Sequence, residues 1–326
     1  MYSAHFHLLL NHWPIIGTFI ALSLFLVSLA ASRDDLKQAS LALFSFNALL
    51  AIPAYMSGNA AQAAIKDTPG LSMTMIQTHQ GAALLALAFI EIAGAFALIG
   101  LWQYSRSGKN PGAPRLARWN IAAVLLLSLV TMGLMAITGT TGGDIRHPEI
   151  LTGKEAASTA AAIGRLGASM LPSIQHFVVE YSMWVWPILE DFHFIGLILI
   201  VGTIGMLNIR ILGFFKQIPV GPLHRFIPWG IAGFVINIIT GLLFFLGMPD
   251  FYGNNVDFQI KMLTMVIAGA ILLLFYCTSA FRACERLGPG EEAPASAKFV
   301  AASSLILWIA LIVLGRYMPF FEAIQG

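Results

Sequence analysis

Eight apolar runs of about twenty residues dominate the pattern of hydrophobic and polar positions. They fall at Trp13–Ala31, Ala39–Met56, Gly81–Trp102, Trp119–Thr138, Phe192–Phe214, Phe226–Leu246, Met262–Phe281 and Phe299–Met318. A helix that crosses the hydrocarbon of a bilayer needs about 20 mostly apolar residues. The pattern therefore predicts an all-α, polytopic membrane protein with about eight transmembrane helices in two four-helix bundles. Pro53 lies inside the second run, where membrane helices tolerate it, and a kink is expected there. The longest stretch between runs is Gly142–Pro187, Ala-rich at Ala156–Ala162 and apolar at Met170–Val179. It reads as a connector carrying one or two helices that lie in the membrane interface, broken at Pro172. The domain reading is a four-helix bundle over 1–150, an interfacial connector over 151–180 and a second four-helix bundle over 181–326. The two halves show no mutual sequence repeat, which favours fusion over duplication.

Composition sharpens this. Of 326 residues, 58% are hydrophobic and 10% charged; soluble domains carry roughly a quarter charged residues. That excludes a water-soluble enzyme and a disordered chain. A net charge of +2 gives no reason to expect a nucleic-acid partner. The distribution of basic residues sets an orientation. The loops after the first, third, fifth and seventh spans hold twelve Lys and Arg, and the opposite side holds six. The first set is expected in the cytoplasm, with both termini periplasmic in a bacterial inner membrane. Trp13, Trp184 and Trp186 then mark the outer edge, and Trp102, Trp119 and Trp229 the inner edge. The N-terminus lacks the basic region of a cleavable signal, so the first run is expected to be an uncleaved span. Cys277 and Cys284 are seven apart at the end of one run. On one helix they would lie two turns apart, too far to bridge. Neither belongs to a C-x-x-C-H motif for covalent haem attachment.

The histidines are distributed unevenly in this frame. His5, His7, His12, His79, His147, His176 and His193 fall on the outer side; His224 alone falls on the inner side. His12 and His79 both open spans, so they are expected at similar depth, with His7 and His147 nearer the water. Two neutral imidazoles on facing helices could be the axial ligands of a b-type haem. Gly17 and Gly81, close to these histidines, would leave room for a flat macrocycle. The plainer reading is that each histidine is an interfacial polar residue bonded to a carbonyl. Zinc or copper would more often recruit cysteine or carboxylate as well.

His7-Leu-Leu-Leu-Asn-His12-Trp-Pro14, a span opened by His79, and Gly142-Gly143-Asp-Ile-Arg-His147 together resemble a bacterial four-helix membrane domain family. Its pattern is H-x4-H-x-P, a histidine at the third helix and G-G-x3-H after the fourth. The resemblance covers about residues 1–150. It implies a b-type cytochrome with His7, His12, His79 and His147 at its marked positions. Residues 176–326 more weakly resemble a four-span family related to copper-resistance membrane domains and b-type cytochromes. The matching parts are His193-Phe-Ile-Gly196, Leu207-Asn-Ile-Arg210-Ile-Leu-Gly213 and Phe258-Gln-Ile-Lys261. That family more often has Asp where this chain has Asn208, which weighs against a proton or cation role there. His193 could ligate a further haem with His176 or sit in a quinone pocket.

Glu91 is the only acid well inside a span, about 18 Å along the helix from His79. Such residues tend to face a pathway or a partner; a proton relay and a protonated packing residue are both open. Glu190, Asp191, His193 and Lys261 form a candidate quinone or proton site at the outer rim of the second half, or a solvated rim. Asn47 and Asn237 are mid-span amides expected to tie helices together. The leading expectation is an integral b-type cytochrome, or a cytochrome b-like subunit of a respiratory complex, with one or two haems. It would move electrons at the outer face from quinol to a periplasmic carrier, as the electron-transfer subunit of a quinol-linked oxidoreductase. The alternatives are a metal-ion or small-solute permease and a cofactor-free membrane anchor for other subunits.

Overall fold

The computed structural model describes residues 2–65, 72–107, 116–146 and 158–325. His147, and the connector up to residue 157, lie outside the described residues. The described chain is all-α: α1 Tyr2–Leu10, α2 His12–Ala30, α3 Asp34–Ile65, α4 Met73–Ser107, α5 Arg118–Arg146, α6 Thr159–Gln175, α7 Val185–Ile200, α8 Met206–Leu212, α9 Val220–Leu223, α10 Ile227–Gly247, α11 Pro249–Asn254, α12 Val256–Cys277, α13 Ser279–Glu285 and α14 Ala295–Gln325. Eight continuous segments are long and apolar enough to cross a membrane, running Phe6–Ala30, Asp34–Ile65, Met73–Ser105, Arg118–Ile145, Val185–Leu212, Val220–Gly247, Val256–Cys277 and Ala295–Met318. Large apolar side chains such as Leu126, Ile198, Leu274 and Ile306 point outward from these segments. A water-exposed surface rarely carries so much contiguous apolar area; hydrocarbon accommodates it. The protein is a polytopic all-α membrane protein.

Several helices run past their apolar runs. α4 begins at Met73, so His79 lies six residues, about 9 Å, inside it. His193 likewise lies eight residues, about 12 Å, into α7. Both were expected at the start of a span. The polar turns of Met73–Gln80 and Glu190–His193 continue the helix without registering in a hydropathy run.

The chain forms two compact units. Unit 1 comprises Met1–Ala97, Ala117–Val185 and Leu243–Asn254. Its centre is the α2–α3 pair, with Phe25 and Phe44 edge to face at 6.2 Å between ring centroids. Pro14 has no N–H to offer the Leu10 carbonyl, and the chain makes a turn at Asn11 between α1 and α2. Asn47 donates to the Pro14 carbonyl and to Thr18 Oγ1, each at 3.0 Å, tying α3 to α2 as expected of a mid-span amide. α3 runs through Pro53.

Up to Gln175, the described part of the connector is one helix, α6, which runs through Pro172 instead of breaking there. Ser158 caps it by accepting from the Ala161 N–H at 3.1 Å. It passes into a π-helical turn, His176–Glu180. Its buried residues are Gly164 and Gly167. These cross α4 at Gly81 so closely that a Cβ on any of the three would overlap main-chain atoms of the other helix.

Unit 2 comprises Leu98–Leu116, Trp186–Leu242 and Asn255–Gly326. α7 and α8 are joined by a π-helical turn at Val201–Gly205. Gly196 and Gly233 bring α7 and α10 into backbone contact, and Asn237 donates across to the His193 carbonyl at 3.2 Å. Asn208 is buried and donates to Ser304 Oγ at 3.0 Å, a structural use of the amide. Arg210 is fully buried at the end of α8. Its guanidinium donates to the carbonyls of Ile218, Gly288 and Glu291, so it gathers two loops around one cation. Gly213 ends α8 at φ 105°, a left-handed turn that suits glycine. α12 ends at Cys277 and α13 starts at Ser279. The two cysteines thus sit on separate helices, not on one face as the spacing suggested, and no disulfide joins them.

Candidate functional site

The site in unit 1 starts with two rings. His7 lies against α3, with Nδ1 3.1 Å from the Ala54 carbonyl and 3.0 Å from Ser57 Oγ. A carbonyl only accepts, and Ser57 already donates to the Ala54 carbonyl at 2.8 Å. The proton of neutral His7 is therefore on Nδ1, and the lone pair is on Nε2. His79 has a hydroxyl partner in place of a carbonyl. Its Nδ1 lies 3.2 Å from Thr141 Oγ1. Thr141 already donates to the Ile137 and Thr138 carbonyls, at 3.0 and 3.1 Å. With the Thr141 proton on either carbonyl, Nδ1 of neutral His79 is the donor in this contact and Nε2 keeps the lone pair.

A glycine backs each ring. A Cβ on Gly58 would meet His7 Cε1 at 3.3 Å, and one on Gly142 would meet His79 Cε1 at 3.1 Å. The two rings are close enough for their charges to interact. His7 on α1 and His79 on α4 are thus within electrostatic range of each other.

His12, expected to be level with His79, is exposed, and its Nδ1 faces the Leu8 carbonyl of α1 at 3.4 Å. Five residues separate His7 from His12, about 140° around a helix axis, so only one of them can face α3. The glycines expected to make room for a macrocycle serve another purpose. The space at Gly17 is filled by the Asn47 amide, and that at Gly81 by the backbone of Gly164–Ala168. His176 is exposed on the π-helical turn, with Nδ1 3.0 Å from Glu180 Oε2. Glu91 lies farther along α4, with a buried Oε1 that makes no hydrogen bond among the described residues.

These two tautomers fit iron ligation. A ligating histidine usually gives its other ring N–H to a carbonyl or hydroxyl, which fixes the ring and leaves the coordinating nitrogen unprotonated. Among the described residues, no three His, Cys, Asp or Glu side chains converge as they would around a bare metal ion. Two imidazoles suit a group that brings most of its own ligands.

In unit 2, four span helices contribute to one cluster. His193 Nδ1 lies 2.7 Å from Thr240 Oγ1, and Thr240 donates to the Ile236 carbonyl at 2.8 Å. With the Thr240 proton on that carbonyl, Nδ1 of neutral His193 is the donor in this contact. Lys261 of α12 is close enough to interact electrostatically with His193. Gly241 faces the His193 ring and Gly315 faces Lys261 Nζ, at 3.8 and 3.4 Å from the position of a Cβ. Glu190 and Asp191, expected at the same site, are exposed; Glu190 accepts from Trp186 Nε1 at 3.1 Å.

A third group escaped the sequence reading. His224, the histidine expected alone on the inner side, is buried. Its Nε2 lies 2.8 Å from Ser105 Oγ and 2.6 Å from Tyr276 OH, and Tyr276 donates to Ser105 at 3.1 Å. Glu285 Oε1 lies 3.8 Å from His224 Nδ1. Tyr276 stacks on the ring at 5.7 Å. The available signal was that all four residues fall at span ends on one predicted side.

No family model, no curated protein and no solved structure matches the chain. The two resemblances read from motifs therefore rest on those motifs alone.

Proposed function

We propose that unit 1 is a b-type cytochrome module, and that the protein is an integral electron-transfer subunit at the periplasmic face of a bacterial inner membrane. The observation that carries this reading is the matched state of His7 and His79. Each ring is held through Nδ1, which leaves Nε2 available for coordination, and the two lie within electrostatic reach. These two residues would hold a haem b through Nε2. Bound there, the haem supplies one-electron exchange. Ala54, Ser57 and Thr141 orient the rings and set their tautomers, and Gly58 and Gly142 let them lie against backbone. Quinol is the proposed donor, with its headgroup at the His193–Lys261 cluster of unit 2. A periplasmic carrier or a further subunit of a respiratory complex is the proposed acceptor.

The test is a reduced-minus-oxidised spectrum of the gently purified protein. A b-type α-band is expected that is lost in His7→Ala and in His79→Ala and kept in His12→Ala. A colourless protein, or a band indifferent to both of the first two substitutions, overturns the reading.

A further inference from the structure

Two lysines of unit 2 converge on one carboxylate. Lys216 Nζ pairs with Glu292 Oε1, and Lys298 Nζ lies 2.8 Å from Glu292 Oε2. Lys216 stands four residues past the end of α8, and Lys298 stands in the first turn of α14. Backbone bonds tie the intervening loops to each other. The Gly290 N–H donates to the Lys216 carbonyl at 2.8 Å, and the Val220 N–H to the Leu287 carbonyl at 3.2 Å. Buried Arg210 joins the same two loops through the Ile218, Gly288 and Glu291 carbonyls. The backbone thus places both lysines, and Glu292 is not the sole tie between them.

Charge and shape say what this place would take. One carboxylate cannot balance two ammoniums, so the group keeps one positive charge. Among the described residues, neither lysine has a second carboxylate within ion-pair distance. Glu292 is exposed and spreads one negative charge over two oxygens, one for each lysine. A phosphodiester does the same with its two non-bridging oxygens. Gly213 adds no side chain beside them; a Cβ there would lie 3.5 Å from Lys216 Cε and 4.0 Å from Lys298 Nζ.

The neighbours select a lipid over a soluble ester. Phe214, Phe215 and Phe299, next to the two lysines in the chain, are 63%, 70% and 74% exposed. Phe215 holds its position at φ 49°, a left-handed conformation that is unusual for a bulky side chain. Aromatic side chains are at home where headgroups meet acyl chains. The lysines stand where two spans end, at Leu212 and Ala295. Their loops belong to the side with the excess of basic residues. Juxtamembrane lysines of this kind attract anionic lipid.

We infer that Lys216 and Lys298 bind the phosphodiester of an anionic phospholipid, with Phe214, Phe215 and Phe299 at its acyl chains, and that Glu292 is a tethered competitor for the same two ammoniums.

The test uses full-length protein in neutral detergent, titrated with phosphatidylglycerol or with phosphatidylcholine. Retained lipid is counted by native mass spectrometry. Wild type should prefer phosphatidylglycerol. One charge beside an anionic lipid changes affinity about fivefold. Phosphatidylglycerol should therefore bind about fivefold more weakly to Lys216→Gln and to Lys298→Gln, and about fivefold more tightly to Glu292→Gln. Lys216→Arg should stay close to wild type, which separates loss of charge from a folding defect. Glycerophosphoglycerol, the same headgroup without acyl chains, should displace the lipid poorly. Equal retention of the two lipids overturns the inference, as does binding that is indifferent to the lysine substitutions. Unchanged or weaker binding in Glu292→Gln overturns the competitor role. Displacement by glycerophosphoglycerol as effective as that by phosphatidylglycerol also overturns the inference, since the site would then take a soluble phosphodiester.

Discussion

Gly81 and Gly164 are in direct backbone contact: a Cβ on Gly81 would overlap the Gly164 carbonyl oxygen. Gly81 lies two residues beyond His79, so this crossing of α6 over α4 sits within one turn of a candidate ligand. Gly81→Ala should cost at least about 1–3 kcal/mol through overpacking. Gly133, in the middle of α5, has open space around its Cβ position. Gly133→Ala should be neutral or stabilise by up to about 1 kcal/mol, because glycine is a poor helix former. Thermal unfolding of both variants in one detergent checks the pair, and equal midpoints would refute the crossing.

Thr141 Oγ1 is hydrogen-bonded to His79 Nδ1 and makes no other cross-helix hydrogen bond among those described. Thr141→Val keeps the shape and removes the acceptor. The expected loss is about 1 kcal/mol of stability. If His79 ligates a metal group, affinity for it should fall about 10- to 100-fold, as for other residues that orient a ligand. Thr141→Ser should restore both. Titration of the stripped protein with haem measures the second quantity.

Glu292 is an exposed acid held by Lys216 and Lys298; the Lys298 contact is 2.8 Å. Those bonds hold its carboxyl down at about 2, below the ordinary 4.5. A folded-state value lower than the unfolded one means the pairs stabilise fully above the ordinary range and lose their effect as pH falls from about 4.5 toward 2. Wild type and Glu292→Gln should therefore differ most in unfolding midpoint near neutral pH and converge in that acid window. Because the groups are exposed, the difference should be small and should shrink with added salt.

Ser105, Tyr276 and His224 share three short contacts, so their substitutions should not add. Ser105→Ala and Tyr276→Phe should each cost about 1 kcal/mol. The double variant should depart from the sum by about 0.5 kcal/mol or more, as expected of groups in one network. Simple additivity in a double-mutant cycle would show that the contacts do not act together.

The eight spans were legible because long apolar runs have few other uses in a chain this poor in charge. Their ends were not, since the polar turns before His79 and His193 extend a helix without changing hydropathy. The histidines were legible as a set, but His7 and not His12 faces α3. The helical twist allows only one of the two to face α3, and which one is set by how Asn47 and Pro14 lock α2 in place. Gly17 and Gly81 read as space for a ligand because spacing cannot tell an open cradle from a helix crossing. The network at His224 joins Ser105, Tyr276 and Glu285, and no local pattern links residues up to 171 positions apart.

Arg210 draws together the chain around Ile218 and around Gly288–Glu291 through carbonyls alone. Surface loops beside a membrane are the usual points of entry for a protease, but these two share a buried clasp. Cleavage there has to wait until the guanidinium lets go, and letting go leaves a buried cation and several carbonyls without partners. The nicking rate at these loops should therefore follow the opening of unit 2 as a whole, which makes limited proteolysis a clock for that unit.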